Sequence, residues 1–220
     1  MTILIEAAVE SLDAALAAAE GGAHRIELAT DLAHGGTTPD VQLVRDCRSQ
    51  LAIPIFVLVR PRAGDFVYTD AEHRTMLEQI HRAKDAGAHG IVTGALTDTH
   101  EIAEDRTEQL LEAARPLSVT FHRAFDVCVD VAAALERLIQ LGVDRVLTSG
   151  GGRTAREGAE QIRRLVIQAR ERIGILAGGG IDGDNVAPIV RGTGVREVHF
   201  SVWDVEKVRA VVRPLSVFTG

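Results

Sequence analysis

The chain has 220 residues, 46% of them hydrophobic, 4% aromatic and 25% charged, with 24 Lys and Arg against 31 Asp and Glu for a formal net charge of −7. An apolar share of that size excludes a disordered chain. The acidic balance argues against a nucleic-acid partner, which needs a basic stripe to displace counterions. No run of about 18 uninterrupted apolar residues, the span of a membrane helix, occurs, so no membrane partner is expected. Met1-Thr2-Ile3-Leu4-Ile5-Glu6 lacks the basic region of a secretory signal, and Cys47 and Cys128 are too few for a disulfide framework. A cytoplasmic protein is the expectation.

Short Val/Ile/Leu-rich runs at Ile3–Ala8, Arg25–Ala29, Ile53–Arg60, Gly90–Gly94, Leu117–Arg123, Arg145–Ser149, Ile173–Gly178 and Val195–Ser201 predict strands buried on both faces. Between them lie helical spacings such as Leu12, Ala15, Leu16 and Ala19. Thr38-Pro39 reads as a cap before a first-turn proline, and Thr69-x-x-Glu72 as a capping box. The last helix, over Trp203–Val212, is expected to be short or absent because Pro214 stops it. Eight strands alternating with helices predict an α/β fold, a (β/α)8 TIM barrel spanning 1–220 as a single domain. An open doubly wound sheet is the alternative.

An internal echo supports closure. Gly22-Ala23-His24-Arg25-Ile26-Glu27-Leu28, Gly87-Ala88-His89-Gly90-Ile91-Val92-Thr93, Gly142-Val143-Asp144-Arg145-Val146-Leu147-Thr148 and Gly194-Val195-Arg196-Glu197-Val198-His199-Phe200 follow one plan. Each opens on a glycine suited to end a helix in the left-handed conformation, then enters an even-numbered strand. Alternation along the strands assigns Ile26, Ile91, Val146 and Val198 outward. Glu27, Val92, Leu147 and His199 then point inward, with small Ala29, Gly94, Ser149 and Ser201 above them. Below lie Arg25, Gly90, Arg145 and Glu197, expected to close the barrel bottom as satisfied pairs. The same parity in the odd strands puts Glu6, Arg60, His122 and Gly178 at matching positions. Glu6, Glu27, Arg60, His122 and His199 are therefore expected together at the interior mouth.

Arg60-Pro61-Arg62, followed by Ala63-Gly64-Asp65-Phe66, suits a bidentate grip on a carboxylate or phosphate, with the loop as a lid. The alternative is an arginine pair bridged to Glu6 or Glu27. In Thr120-Phe121-His122-Arg123-Ala124-Phe125-Asp126, His122 suits a general acid or base, and Asp126 an orienting partner for it or for Arg123. The turns Thr148-Ser149-Gly150-Gly151-Gly152 and Ala177-Gly178-Gly179-Gly180 offer backbone N–H groups to an anion, with Asp182 a competing cap. Glu6, Glu27, His122 and His199 also form a donor set for Mn, Zn or Fe(II) rather than for copper(I), which prefers sulfur. No tight ligand motif fixes a metal there.

Glu27-Leu28, Gly35-Gly36-Thr37-Thr38-Pro39, Phe56-Val57-Leu58-Val59-Arg60-Pro61-Arg62, Gly64-Asp65-Phe66, Val119-Thr120-Phe121-His122-Arg123-Ala124-Phe125-Asp126 and Arg145-Val146-Leu147-Thr148-Ser149-Gly150 together resemble the CutC family over residues 3–201. The resemblance implies a cytoplasmic (β/α)8 barrel, a homodimer or larger homo-oligomer, and a role in copper homeostasis with weak copper ion binding. The family's cysteine-bearing segments read Ile5-Glu6-Ala7-Ala8-Val9-Glu10 and Glu27-Leu28-Ala29-Thr30 here, so its candidate soft-metal thiols are replaced by alanine. That departure supports a second reading, a small-molecule barrel enzyme of proton-transfer isomerase or lyase type acting on an anionic substrate. In it His122, Glu6 and Glu27 are the catalytic candidates. Arg60, Arg62, Asp65, Arg123, Asp126, Ser149, Gly150, Gly178, Gly179 and His199 are the binding candidates, with a divalent metal or copper as optional cofactor. A non-catalytic binding module on the same barrel is the third reading.

Overall fold

The computed structural model describes residues 2–218. Met1 and the last two positions of the expected 1–220 span lie outside the described residues. Among those described, β1 (Leu4–Val9), β2 (Arg25–Leu28), β3 (Ile55–Leu58), β4 (Gly90–Thr93), β5 (Ser118–Phe121), β6 (Arg145–Thr148), β7 (Gly174–Gly178) and β8 (Glu197–Ser201) pair in chain order into a closed barrel. Every pairing is parallel, and β8 returns to β1, so the open sheet is excluded. The crossovers are α1 (Leu12–Gly21), α2 (Val41–Gln50), α3 (Asp70–Asp85), α4 (Glu104–Ala114), α5 (Val131–Leu141), α6 (Ala159–Ala169) and α7 (Val186–Thr193), and α8 (Val205–Leu215) follows β8.

The echo has a physical basis. Gly22, Gly87, Gly142 and Gly194 all hold positive φ, from 76° to 98°, where a side chain would be strained. Two residues after the first three of these glycines, the side chain stitches the next strand to its neighbour. His24 Nδ1 accepts from Ile5 N at 3.0 Å, His89 Nδ1 from Ile55 N at 3.1 Å and an Asp144 carboxylate oxygen from Val119 N at 2.8 Å. These residues satisfy strand-entry amides that the ladder leaves over.

Two helix expectations need correction. Thr38 does not cap α2. Asp40 does, accepting from Gln42 N at 2.6 Å, while Thr38 Oγ1 accepts from Arg60 N at 2.9 Å and donates to Gln79. The capping box at Thr69 and Glu72 is present. The last helix is neither short nor absent: α8 runs 11 residues with Pro214 inside it. Pro214 is the penultimate residue, so its ring and missing N–H disturb only the final turn.

The even-strand faces fall as the alternation predicts. Ile26, Ile91, Val146 and Val198 are fully buried in the apolar layer between strands and helices. Ala29, Phe56, Leu58 and Val92 form a separate small cluster inside the barrel. Heights in the odd strands differ from expectation. Glu6 registers beside Arg25 and His199, Phe56 beside Glu27 and Gly90, and Thr120 beside Val92 and Arg145. Glu6 thus shares a level with Phe56 and Thr120. His122 is two residues beyond Thr120, and Arg60 two beyond Leu58. The expected ring of Glu6, Arg60 and His122 is spread over successive levels, because parity fixes the face of a strand and not its stagger.

The bottom is an ionic plug, as expected. Arg25 Nε donates to Glu6, Arg25 Nη2 to Glu197 at 3.1 Å, and Arg145 Nε to the same Glu197 oxygen. Both guanidinium groups lie over the Phe56 ring, 4.5 and 5.7 Å from its centre. A Cβ on Gly90 would fall 2.5 Å from that ring, so only glycine admits Phe56 there.

Candidate functional site

At the C-terminal end of the strands a cavity of about 500 Å³ opens, lined among others by Glu27, Arg60, Phe66, His122, Arg123, Asp126, Gly179, His199 and Lys207. Small residues at the strand ends make it. A Cβ on Gly94 would lie 2.8 Å from His122 Nδ1, and one on Gly178 3.3 Å from the His199 side chain. Both imidazoles therefore depend on a neighbouring glycine. A groove of about 640 Å³ outside the barrel involves α4 and α5, and none of the residues expected at the site lines it.

Four ionisable groups define the floor. Glu6 is fully buried; it accepts from Arg25 and from His199 Nδ1 at 2.8 Å. Burial opposes its charge, but the His199 hydrogen bond and the Arg25 guanidinium outweigh it and hold its carboxyl down to about 2. Glu6 does not line the cavity. It sits under the cavity as a fixed anion, which corrects its expected place at the mouth. His199 lies 3.9 Å from Glu27 Oε2. Burial lowers its pKa, but the Glu6 hydrogen bond and the two carboxylates outweigh that and raise it. Glu27 is 4% exposed, and its Oε2 has no partner. Burial pushes its carboxyl up to about 7 against the pull of His199, with Glu6 adding to the rise.

His122 is 5% exposed. Its Nδ1 accepts from Ala124 N at 3.3 Å, so the ring proton sits on Nε2, which has no protein partner. Burial and then the Arg60 charge push its pKa down to about 3. It is neutral at pH 7, with Nε2–H a hydrogen-bond donor. Phe66 flanks it, ring centres 4.9 Å apart, and carries the Arg60 guanidinium 4.8 Å from its own centre.

The arginines spend most of their donors on the protein, although the buried Arg60 Nε has no hydrogen-bond partner. Arg60 donates to the carbonyls of Gly35, Gly36 and Gly64 at 3.0, 2.9 and 2.7 Å. Arg62 donates to Glu72, Asp65 and the carbonyls of Ala63, Asp65 and Val67. Arg60 thus ties down the loops around the mouth. Arg62 and Asp65 stand outside the cavity and fix the loop that was expected to be a lid. Asp126 similarly fills the β6 turn. It accepts from Ser149 N and Oγ, Gly151 N, Thr148 Oγ1 and Arg123 Nε. Gly150 N donates to Thr148 Oγ1. Ser149 and Gly150 therefore have no amide left for an anion, because an internal carboxylate already occupies that nest. Sequence reasoning missed Lys207 and Phe66. The signal for Lys207 was Asp204, whose carboxylate caps α8 through Lys207 N at 2.8 Å and sets that lysine in the first turn.

Residues 3–203 match the model of the CutC family. The chain belongs to the CutC family. A CutC protein of Pasteurella multocida is 47% identical over 197 residues, 90% of this chain and 81% of the relative. The copper homeostasis protein cutC homolog of Homo sapiens is 46% identical over 198 residues, 90% of this chain and 72% of the relative. The crystal structure of CutC from Streptococcus agalactiae superposes with a TM-score of 0.86 at 36% identity, covering 90% of this chain and 98% of that one. Thiamine phosphate pyrophosphorylase from Pyrococcus furiosus, at 17% identity, has a TM-score of 0.69, covers 99% of this chain and 97% of its own, and shares the fold alone.

The donor set of this CutC chain does not fit copper(I). Cys47 is buried on α2, its thiol pushed up to about 11 by burial and then Asp46. Cys128 lines the outer groove, its thiol pushed up to about 12 by burial and then Asp126. Neither thiol lines the mouth. Among the described residues, the metal-ligand grouping is Glu6, under the cavity, with Glu27 and His199 in its floor, all oxygen and imidazole. Arg25 already neutralises one of its carboxylates.

Proposed function

We propose that this CutC chain acts at the barrel mouth on a small anionic molecule by proton transfer, as an isomerase or lyase does. It shares the copper-homeostasis setting named for its human relative without holding copper(I) at the mouth. One observation carries the reading: Glu27 Oε2 and His122 Nε2 are buried, unpartnered and in the same cavity. Buried polar atoms without partners are costly and are retained where a ligand completes them.

The chemistry follows from the two protonation states. Glu27, shifted to about 7, is present in both forms at neutral pH, so it takes a proton from a substrate carbon or returns one without a large free-energy gap. His122 stays neutral and offers its Nε2–H to the substrate oxygen that gains negative charge as the proton leaves. His199, held by Glu6, lies 3.9 Å from Glu27 Oε2, and its pull favours the Glu27 carboxylate against burial. Phe66 and Leu58 keep water off one side.

The test is a thermal-shift panel of sugar phosphates and hydroxy- and keto-acids on the wild type, Glu27→Gln and His122→Ala. Any shifted compound is then followed by NMR in D2O. The expected result is a raised wild-type midpoint, with solvent deuterium entering the compound on the wild type and not on Glu27→Gln. A panel with no shift, or exchange unchanged in Glu27→Gln, overturns the reading.

A further inference from the structure

One group of donors at the mouth has no task in proton transfer. The turn after β7 carries Gly179 at φ 104° and Gly180 at φ 68°, conformations that favour glycine. Among the described residues, the N–H groups of Gly179, Gly180 and Ile181 donate to no protein acceptor. Asp182, the expected competitor, accepts at Oδ1 from Asp184 N and Asn185 N at 2.9 and 3.0 Å. It caps the following turn and leaves the three preceding amides open. This contrasts with the β6 turn, where Asp126 consumes the amides.

Two cations share the cavity with the open amides, and one of them touches the turn. A Cβ on Gly179 would lie 3.4 Å from Arg123 Nη1, so the guanidinium edge abuts that turn. Arg123 spends Nε on Asp126 and Nη2 on Ser149 Oγ, which leaves Nη1. Lys207 Nζ lies 3.3 Å from the centre of the Trp203 ring and donates to no acceptor among the described residues. Burial lowers its pKa, against Asp204 and Asp182. Gly179, Gly180, Ile181, Arg123 and Lys207 all line the cavity that holds the unpartnered Glu27 Oε2 and His122 Nε2. Gly178, next in the chain, packs on His199, so the open amides lie directly beside the acid–base floor.

We infer that the ligand of this cavity is a phosphomonoester, its phosphate seated on the Gly179–Ile181 amides between the Arg123 guanidinium and the Lys207 ammonium. The inference rests on the proton-transfer reading for the other end of the ligand. A phosphate suits the donors better than a carboxylate does. They come from three segments, the turn after β5, the turn after β7 and the first turn of α8. A tetrahedral dianion presents oxygens in three directions, whereas a planar carboxylate presents two in one plane. With the phosphate there, the rest of the molecule extends over His122 and Glu27.

Calorimetric titration with inorganic phosphate, glycerol phosphate and acetate tests this on the full chain. Both phosphates are expected to bind the wild type, acetate at least about tenfold more weakly, and Lys207→Ala to lose about tenfold for the phosphates. Lys207→Arg is expected to keep most of the affinity, and Glu27→Gln to bind inorganic phosphate as the wild type does. Equal binding of acetate and phosphate, or Lys207→Ala binding phosphate like the wild type, overturns the inference. Loss of phosphate binding in Glu27→Gln overturns the separation of the two ends. If phosphate binding depends on Lys207 while no compound exchanges deuterium through Glu27, the phosphate seat stands and the proton-transfer reading falls.

Discussion

Replacing Glu27 by Gln is expected to stabilise the protein, and only in one pH range. The carboxyl is 4% exposed and shifted from 4.5 to about 7. Because the folded-state value is raised, folding favours the protonated form. Below pH 4.5 both folded and unfolded chains carry that proton, and the group costs nothing. As pH rises from 4.5 the unfolded chain sheds its proton, while the folded chain keeps it until about 7 and above that must bury a bare carboxylate. The stability lost over that window is about 3 kcal/mol, because each pH unit between the two values is worth ~1.4 kcal/mol. Gln has no proton to lose. The stability difference, Glu27→Gln minus wild type, should therefore climb by about 3 kcal/mol between pH 4.5 and 8, equivalent to roughly 6–12 °C in the midpoint of a chain this size. Urea denaturation of both proteins across pH 4.5–9 reads it directly. A difference that is flat, or that falls with rising pH, would refute the premise that Glu27 is a desolvated acid whose Oε2 has no hydrogen-bond partner. The residue that costs stability is also the one assigned to proton transfer, the usual trade at working sites.

Other consequences follow from the same geometry. His122 is lowered from 6.5 to about 3, so the wild type should lose stability relative to His122→Gln as pH falls from 6.5 to 3, by about 5 kcal/mol in total; acid titration of the two proteins measures it. Arg25→Met strands the buried Glu6 carboxylate and should cost about 3–5 kcal/mol in denaturant melts, while Arg25→Met combined with Glu6→Gln recovers much of that loss. Gly94→Ala drives a methyl to 2.8 Å from His122 Nδ1 and should shift the His122 ring resonances in NMR and cost about 1–3 kcal/mol.

Much of the barrel was legible in the chain because its determinants are local and repeat. Gly22, Gly87, Gly142 and Gly194 mark helix ends, and the alternation of Ile26 with Glu27 or Val198 with His199 marks faces. What was not legible depends on stagger and on hydrogen bonds between distant segments. Glu6 and Arg60 have the right parity but stand below and above His122, because the levels follow from barrel shear. Arg60 and Arg62 have the composition of an anion grip, yet their partners are carbonyls of nearby turns and, for Arg62, the Glu72 and Asp65 carboxylates, which a sequence does not display. Thr38 has the look of a cap beside Pro39 and instead ties its loop to the end of β3. The opposite shifts of His122 and Glu27 have the same origin: burial acts on both, and burial at a barrel mouth is set by residues far apart in sequence, Phe66 and Gly94 among them.

Proton transfer at the mouth requires that Glu27 hold its proton up to neutral pH inside the cavity. Difference infrared spectroscopy of wild type against Glu27→Gln, across pH 4–9, isolates that single carboxyl. A protonated C=O band assigned to Glu27 that disappears with a midpoint of about 7 is the predicted result. A carboxyl already ionised by pH 5 would contradict it.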